Sequence, residues 1–127
     1  MNLPDTIPTL IAQASSILIA THISPDADAI GSLLGLGHSL HRLGKKVVLH
    51  CNDDIPANLK FLPGHSEIQK TLSRDTEFDL MIALDAGDTT RLGEAMKPFL
   101  ESDCSILNID HHITNTNYGT INLVDGN

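Results

Sequence analysis

The chain has 127 residues, 41% of them hydrophobic and only 3% aromatic, so aliphatic side chains must fill the core of a single globular domain. The net charge of −8 argues against a broad basic surface for duplex nucleic acid, whereas a small anionic substrate held through divalent metals is compatible with it. No apolar run reaches the length of a membrane span, and the two cysteines, Cys51 and Cys104, lack a paired spacing. We therefore expect a cytoplasmic protein with reduced cysteines and no membrane partner.

The first part of the chain predicts helix, strand and helix in turn. Residues 6–14 predict a short leading helix with Pro8 in its first turn. The apolar run from Ser16 to Thr21 predicts a buried strand. Residues 30–43 carry apolar side chains at three- and four-residue steps, the spacing of an amphipathic helix, and Gly44 is placed to end it.

Four further strands are predicted, over Lys46–Cys51, Phe78–Leu84, Cys104–Ile109 and Thr120–Val124. A Pro56-led loop with one helical turn follows the first of these, and a short helix over 91–100, interrupted near Pro98, precedes the third. Because strands separated by helical crossovers pair in parallel, the predicted fold class is α/β, a doubly wound, mainly parallel five-stranded sheet with helices on both faces.

Carboxylates and imidazoles follow three of the predicted strands. They are His22, Asp26, Asp28, Asp85, Asp88, Asp110, His111 and His112. Parallel strands share a direction, so these side chains must emerge at one edge of the sheet. So many carboxylates cannot stay ionised together without cations, because neighbouring like charges raise one another's pKa. The pattern predicts a divalent metal site at this edge.

The residue types also indicate which metals and which chemistry to expect. Mixed imidazole and carboxylate ligation without thiolate suits manganese, iron, cobalt or zinc, whereas oxygen ligation alone would suit magnesium or calcium. The number of ligands indicates two ions about 3.5–4 Å apart, bridged by a carboxylate and a water. Such a pair lowers the pKa of bound water toward ~7 and clamps the oxygens of a phosphoryl group. The chemistry implied is hydrolysis of a phosphate ester or anhydride.

Each residue also has an ordinary structural interpretation. His22 alone could be a surface or capping residue, Asp26 or Asp28 a helix N-cap, and Asp85 part of a turn. The conjunction of three sets at successive strand ends is what favours a metal site. The remaining histidines have no such setting, and we expect helix positions for the first two and surface or loop positions for the others: His38, His41, His50 and His65.

Three motifs occur in order along the chain, at residues 22–32, at Leu84-Asp85-Ala-Gly-Asp88 and at Asp110-His111-His112. Together they resemble the DHH phosphoesterase family over almost the whole chain. Within that family, residues 54–64 are similar to the segment that the nanoRNase and pAp-phosphatase branch carries after its second strand.

The resemblance implies a division of the metal ligands. His22 and Asp26 would hold one manganese ion, and Asp28 and His111 would hold the second. Asp85 would bridge both ions. The cofactor implied is therefore a pair of divalent metal ions, with manganese as the expected metal.

The resemblance also implies two catalytic roles beside the metals. His112 would bind the scissile phosphate or donate a proton to it, and Asp110 would orient a ligand. A water between the metals would attack the phosphorus in line and release a nucleoside monophosphate or inorganic phosphate. The pattern leaves the role of Asp88 open.

The chain departs from the family pattern after the third motif. Family members carry a further ligand aspartate and a second, glycine-rich basic domain, whereas Asp125 is the only acidic residue here after the triplet. On this basis residues 1–127 are expected to be the N-terminal portion of a longer DHH phosphoesterase, with weak metal binding and poor hydrolysis.

The leading functional hypothesis is a manganese-dependent phosphoesterase acting on a small phosphorylated nucleotide or a short single strand. Its expected substrates are very short oligoribonucleotides, dinucleotides or 3′-phosphoadenosine 5′-phosphate, and not duplexes. Hydrolysis of cyclic dinucleotides or of pyrophosphate on the same core is an enzymatic alternative. A non-catalytic metal- or nucleotide-binding module, or an inactive fragment, is the alternative of another class. The sequence leaves the native metal and homodimer formation open.

Overall fold

The computed structural model describes residues 3–127, in which helices and strands alternate. The helices are α1 Leu3–Gln13, α2 Ala27–Arg42 and α3 Lys97–Leu100. The strands are β1 Ser16–Thr21, β2 Lys46–His50, β3 Ile68–Gln69, β4 Leu80–Leu84, β5 Ser105–Asp110 and β6 Ile121–Val124. Single 3₁₀ turns cover Ala57–Leu59, His65–Glu67, Thr89–Leu92 and Glu94–Met96. No helix within this range is long and apolar enough to cross a bilayer.

The sheet has the order β3-β2-β1-β4-β5-β6, and every neighbouring pair is parallel. From β1 the chain moves outward through β2 and β3, then returns past β1 to β4 and moves outward in the opposite direction. Loops leaving β1 and β4 therefore diverge, which opens a crevice at the carboxyl ends of these two strands. Thr21 pairs with Leu84 at this point, so the residues that follow them begin the crevice side by side.

Both faces of the sheet are covered, as the predicted fold class requires. Alternate side chains of β1 point to opposite faces, with Ile17 and Ile19 toward α1 and α2 and Leu18 toward α3. At the crossing of α2 with β2, a Cβ on Gly37 would lie 2.5 Å from a methyl of Leu49, so glycine permits the close approach. The cysteines are free, as predicted.

The strand count differs from the prediction by one. β3 has only two residues, pairing Ile68 with Leu49 and Gln69 with His50, and a segment this short carries no periodic signal. The added strand explains a second error, because His50 is fully buried and not exposed. Its Nδ1 donates to the carbonyl of Gln69 at 2.8 Å, and burial lowers the pKa of the imidazole.

Two helix predictions also need correction. α1 begins at Leu3, so Pro8 lies inside the helix and not in its first turn. Pro8 is exposed, and its ring removes a backbone hydrogen bond without disturbing the core. The predicted helix over 91–100 is instead two 3₁₀ turns followed by α3. Gly93, with φ of 85°, separates those turns, and Asn52 packs where its Cβ would be.

Candidate metal centre at the carboxyl edge of the sheet

The predicted acidic residues and histidines converge on a cleft of about 400 Å³ at the diverging ends of β1 and β4. The residues of the three motifs that line it are His22, Asp26, Asp28, Asp85, Asp88, His111 and His112. Asp110, the last residue of β5, is buried beside it. The three motifs therefore meet in space because the strands that carry them are adjacent, with β4 between β1 and β5.

Asp85 occupies the centre of the cleft. Its backbone adopts a left-handed conformation with φ of 60°, which is uncommon for any residue with a Cβ. Its N–H donates to the carbonyl of Ile109 at 3.0 Å, which holds this turn. Its buried carboxylate lies with Oδ2 3.3 Å from His22 Nε2 and Oδ1 2.7 Å from His111 Nε2. Each oxygen of one carboxylate thus faces a different imidazole.

The hydrogen bonding of His22 determines which of its nitrogens is available. Nδ1 lies 2.5 Å from the carbonyl oxygen of Ile23 and must donate, because a carbonyl only accepts. In the neutral ring Nε2 therefore carries the lone pair. That atom lies 3.3 Å from Asp85 and 3.7 Å from Asp26 Oδ1. With its lone pair on Nε2, the imidazole directs a donor atom to the same position as the two carboxylates, so this group fits a divalent metal.

Asp26 and Asp28 both lie at the start of α2, but their carboxylates face different histidines. Asp26 is the N-cap of the helix, and the backbone N–H of Ala29 donates to its Oδ1 at 2.9 Å, which lowers the pKa of the carboxyl. The capping and the ligand interpretations of this residue are compatible, because a carboxylate has several lone pairs. Asp28 instead reaches His111, with 3.3 Å between Oδ2 and Nε2. The two-residue spacing sends the carboxylates to different imidazoles.

The possible ligand atoms form two overlapping groups, each within 4.8 Å, and Asp85 belongs to both. One group is His22, Asp26 and Asp85, and the other is Asp85, Asp110, His111 and His112. Asp28 lies outside the second compact group, and its carboxylate contacts that group at His111. The donors are nitrogen and oxygen alone, a set suited to manganese, iron, cobalt or zinc. The hydrogen bond from His111 to Asp85 raises the pKa of that imidazole.

His112 is held from behind by Asp110. Its Nδ1 lies 2.6 Å from Asp110 Oδ1, and the side chain of Asn115 donates to the other carboxylate oxygen at 2.8 Å. Burial opposes the ionisation of Asp110, but the hydrogen bonds from Asn115, from the backbone of His111 and from His112 lower its pKa below the usual value. An ionised Asp110 accepts the Nδ1 proton, so Nε2 of His112 is the nitrogen available to the cleft.

The two acidic residues whose roles the pattern left open occupy different positions. Asp88 caps the turn Thr89–Leu92 by accepting the N–H of Arg91 at 3.2 Å, and the hydroxyl of Thr90 lowers its pKa. Asp125 lines an adjoining cavity of about 380 Å³, and its N–H continues the ladder by donating to the carbonyl of Asp110. Within residues 3–127, neither joins the compact ligand groups.

Arg91 is a lining residue that the sequence analysis placed only at the start of a helix. Its backbone is held at both ends, because its N–H donates to Asp88 and its carbonyl accepts the N–H of Ile23 at 2.6 Å. Leu92, the next residue, is fully buried. Among the described residues, Arg91 carries the only lysine or arginine side chain that lines the cleft. The sequence signal that could have identified Arg91 as a lining residue was its position, six residues after Asp85 on the same loop.

The structure is thus a doubly wound α/β domain in which imidazoles and carboxylates are grouped around a shared aspartate at the switch point of the sheet, an arrangement that can hold divalent metal ions. Residues 16–126 match the N-terminal domain of the DHH family, and the chain belongs to that family. The resemblance seen in the three motifs is therefore confirmed.

Two relatives show how far the likeness extends. The chain is 38% identical over 117 residues to the bifunctional oligoribonuclease and PAP phosphatase NrnA of Thermus thermophilus. The matched region covers 91% of this chain and 34% of that enzyme. A crystal structure of an exopolyphosphatase-related protein from Bacteroides fragilis superposes with a TM-score of 0.86 at 30% identity, covering 96% of this chain and 38% of the other. The chain thus spans about a third of the length of these relatives.

Proposed function

We propose that this chain carries the metal centre of a manganese-dependent phosphoesterase that hydrolyses very short oligoribonucleotides, dinucleotides or 3′-phosphoadenosine 5′-phosphate. The observation that carries the proposal is the carboxylate of Asp85, whose two oxygens face His22 and His111 separately. The likeness to an oligoribonuclease and PAP phosphatase supports the substrate class.

In this proposal two ions share the cleft. His22 and Asp26 would hold the first ion, Asp28 and His111 would hold the second, and Asp85 would contribute to both; the distances among these side chains support this division. When bound, such ions supply positive charge that lowers the pKa of the attacking water and neutralises the phosphoryl oxygens. The lone pair of His22 Nε2 and the crowding of carboxylates around it are the features of the chain that favour this occupancy.

The protein's own side chains would bind and orient the phosphate. His112 presents Nε2 to the cleft, where it binds a phosphoryl oxygen or passes a proton to the leaving oxygen. Asp110 keeps that imidazole in one orientation through Nδ1. Arg91 adds a permanent positive charge with a planar fork of donors, the geometry suited to a substrate phosphate.

The test is hydrolysis by the purified chain with manganese, measured by product chromatography on a panel of substrates. The panel contains a linear diribonucleotide, 3′-phosphoadenosine 5′-phosphate, a cyclic dinucleotide, pyrophosphate and a short RNA duplex. We expect slow but measurable turnover of the first two, in keeping with the poor hydrolysis expected of residues 1–127, and a loss of at least a hundredfold in Asp85→Asn. Asp54→Asn is the matched control and should retain full activity, because Asp54 pairs with Lys70 outside the cleft.

Other outcomes identify the alternatives. Preferred turnover of the cyclic dinucleotide or of pyrophosphate would replace the proposed substrates on the same core. Metal binding by calorimetry without turnover of any substrate would favour a non-catalytic metal- or nucleotide-binding module or an inactive fragment. The cytoplasmic location, the exclusion of duplexes and homodimer formation stay predictions, to be checked by fractionation, by the duplex in the panel and by sedimentation.

A further inference from the structure

Behind His112 lies a chain of asparagine side chains that the three motifs do not include. Asn115 Nδ2 donates to Asp110 Oδ2 at 2.8 Å, and Asn115 Oδ1 accepts from Asn108 Nδ2 at 2.8 Å. Asn108 is fully buried in β5 and also donates to Asn122 Oδ1 at 2.9 Å. The hydrogen bonds therefore run without interruption from the edge strand β6 to the imidazole of His112.

Backbone donors determine the orientation of every amide in this chain. The backbone N–H of Asn117 lies 2.7 Å from the side-chain amide of Asn115 and can donate only to its oxygen. The NH₂ group of Asn115 must therefore face Asp110. In the same way, the backbone N–H of Gly119 donates to the side-chain oxygen of Asn122 at 2.9 Å. Because that oxygen also faces Asn108, the side chain of Asn108 must present its NH₂ group to it. A flip of any one amide would place two donors or two acceptors in contact.

We propose that Asn115 is the positioning residue of His112, acting through Asp110. By occupying Oδ2 of Asp110, the amide holds the carboxylate in the rotamer that presents Oδ1 to His112 Nδ1. His112 then keeps its hydrogen on Nδ1 and its Nε2 toward the cleft. Among the described residues Asn115 is not one of those that line the cleft, and the proposal rests on the function proposed for His112.

The location of the loop supports a role beyond holding its own turn. Asn115 Nδ2 also lies 3.3 Å from the carbonyl of Ala86, and the hydroxyl of Tyr118 donates to that same carbonyl at 2.8 Å. Ala86 directly follows Asp85, so the same amide contacts both the turn that carries Asp85 and the carboxylate behind His112. Asn115 therefore links the turn after β4 to the end of β5, which a residue that stabilised only its own loop would not do.

Two variants separate positioning from loop stability. Asn115→Ala removes the donor to Asp110, and Asn115→Asp keeps the acceptor for Asn117 and Asn108 while replacing the donor by an oxygen. The matched control is Asn117→Gly, which lies in the same loop at φ of 54°, a conformation that glycine adopts freely, and leaves the Asn115 amide in place. Unchanged circular dichroism is required of each variant, and Asn115→Asp is the near-isosteric one should Asn115→Ala fail to fold.

The first measurement is the imidazole tautomer of His112 in long-range ¹H–¹⁵N NMR spectra of the metal-free protein. We expect a predominantly Nδ1–H tautomer in the wild type and in Asn117→Gly, and a mixture containing Nε2–H in both Asn115 variants. An unchanged His112 tautomer in folded Asn115→Ala and Asn115→Asp would overturn the proposal, whatever the activity of the protein.

The second measurement is a double-mutant cycle with manganese and a linear dinucleotide. Asn115→Ala should lower kcat about tenfold with KM within twofold, because supporting partners of site residues typically contribute about 10–100-fold. In a His112→Ala background it should change kcat less than twofold. An equal loss in both backgrounds would show a general structural effect and contradict the positioning role. If the wild type hydrolyses no substrate, the proposed function fails while the tautomer still decides the inference.

Discussion

Replacement of Asp85 by asparagine should abolish both metal sites at once, whereas replacement of His22 by alanine should abolish only one. The reason is geometric, because the two compact ligand groups share Asp85 and His22 belongs to only one of them. Asparagine retains one carbonyl oxygen but loses the charge and the second oxygen, so an oxygen can face only one of the two imidazoles. The two variants therefore distinguish a residue that would bind both ions from a residue that would bind only one.

The magnitude follows from linkage between binding and folding. A ligand at a free concentration of 100 times its Kd stabilises the folded state by about 2.7 kcal/mol per site. An unfolding entropy of roughly 2.1 cal/mol/K per residue, applied to 127 residues, gives about 0.27 kcal/mol/K, so each site raises Tm by about 10 °C. The wild type should gain about 20 °C with saturating manganese, His22→Ala about half of that, and Asp85→Asn close to nothing.

Differential scanning fluorimetry across a manganese titration measures these shifts, and calorimetry gives the number of ions bound. Asp54→Asn, an exposed aspartate outside the cleft, is the charge-matched control and should behave as the wild type. The reasoning would be refuted by an Asp85→Asn protein that still binds two ions, or by a His22→Ala protein that loses both. In the first case Asp85 would not be the shared ligand, and in the second case His22 would not act at one site alone.

Substitutions at three further positions test other parts of the structure. Asp79→Asn should destabilise the fold by about 1 kcal/mol, because its exposed carboxylate accepts the backbone N–H groups of Ser15 and Ser16, which lowers its pKa. Since the folded pKa is lowered, this contribution is present above about pH 4 and is lost as the pH falls, and urea unfolding between pH 3 and 7 measures it. Gly93→Ala should cost about 1–3 kcal/mol in the same assay, because φ is 85° and a neighbouring side chain fills the Cβ position. Arg91→Ala should raise KM for a dinucleotide about tenfold without changing manganese affinity, and Arg91→Lys should recover part of the loss.

Each of these predictions has a contrary result. An Asp79→Asn protein with the wild-type dependence of stability on pH would show that the capped carboxylate adds nothing. Wild-type stability of Gly93→Ala would mean that the turn between the two 3₁₀ segments relaxes freely. A loss of manganese affinity in Arg91→Ala would mean that the arginine supports the metal centre and not the substrate.

The elements that the sequence predicted well are those with purely local signals. β1 has the bounds predicted for it, because an apolar run between polar residues identifies a buried strand. α2 ends at Arg42 just before Gly44, whose φ of 83° suits the residue after a helix. The segment after β4 lacked such signals, and Gly93, with φ of 85° and Asn52 packed at its Cβ position, separates two 3₁₀ turns there.

The site divides in the same way. That carboxylates and imidazoles would meet at one edge followed from the direction of parallel strands, which is a property of the fold class. Which oxygen of Asp85 faces which histidine did not follow, because it depends on a left-handed turn and on the path of α2. Arg91 and Asn115 were missed for a related reason, since their roles come from the routes of two loops and not from the motifs.

The amino-acid sequence by itself determined the α/β class, most of the strands and the residues that meet at the candidate metal centre, because apolar periodicity and strand-end chemistry are encoded locally. Only the tertiary structure decided the sixth strand that buries His50, the sharing of Asp85 between two groups and the amide chain behind His112. These features depend on atoms brought together from distant parts of the chain. Their distances are set by the packing of the whole sheet, which no single segment specifies.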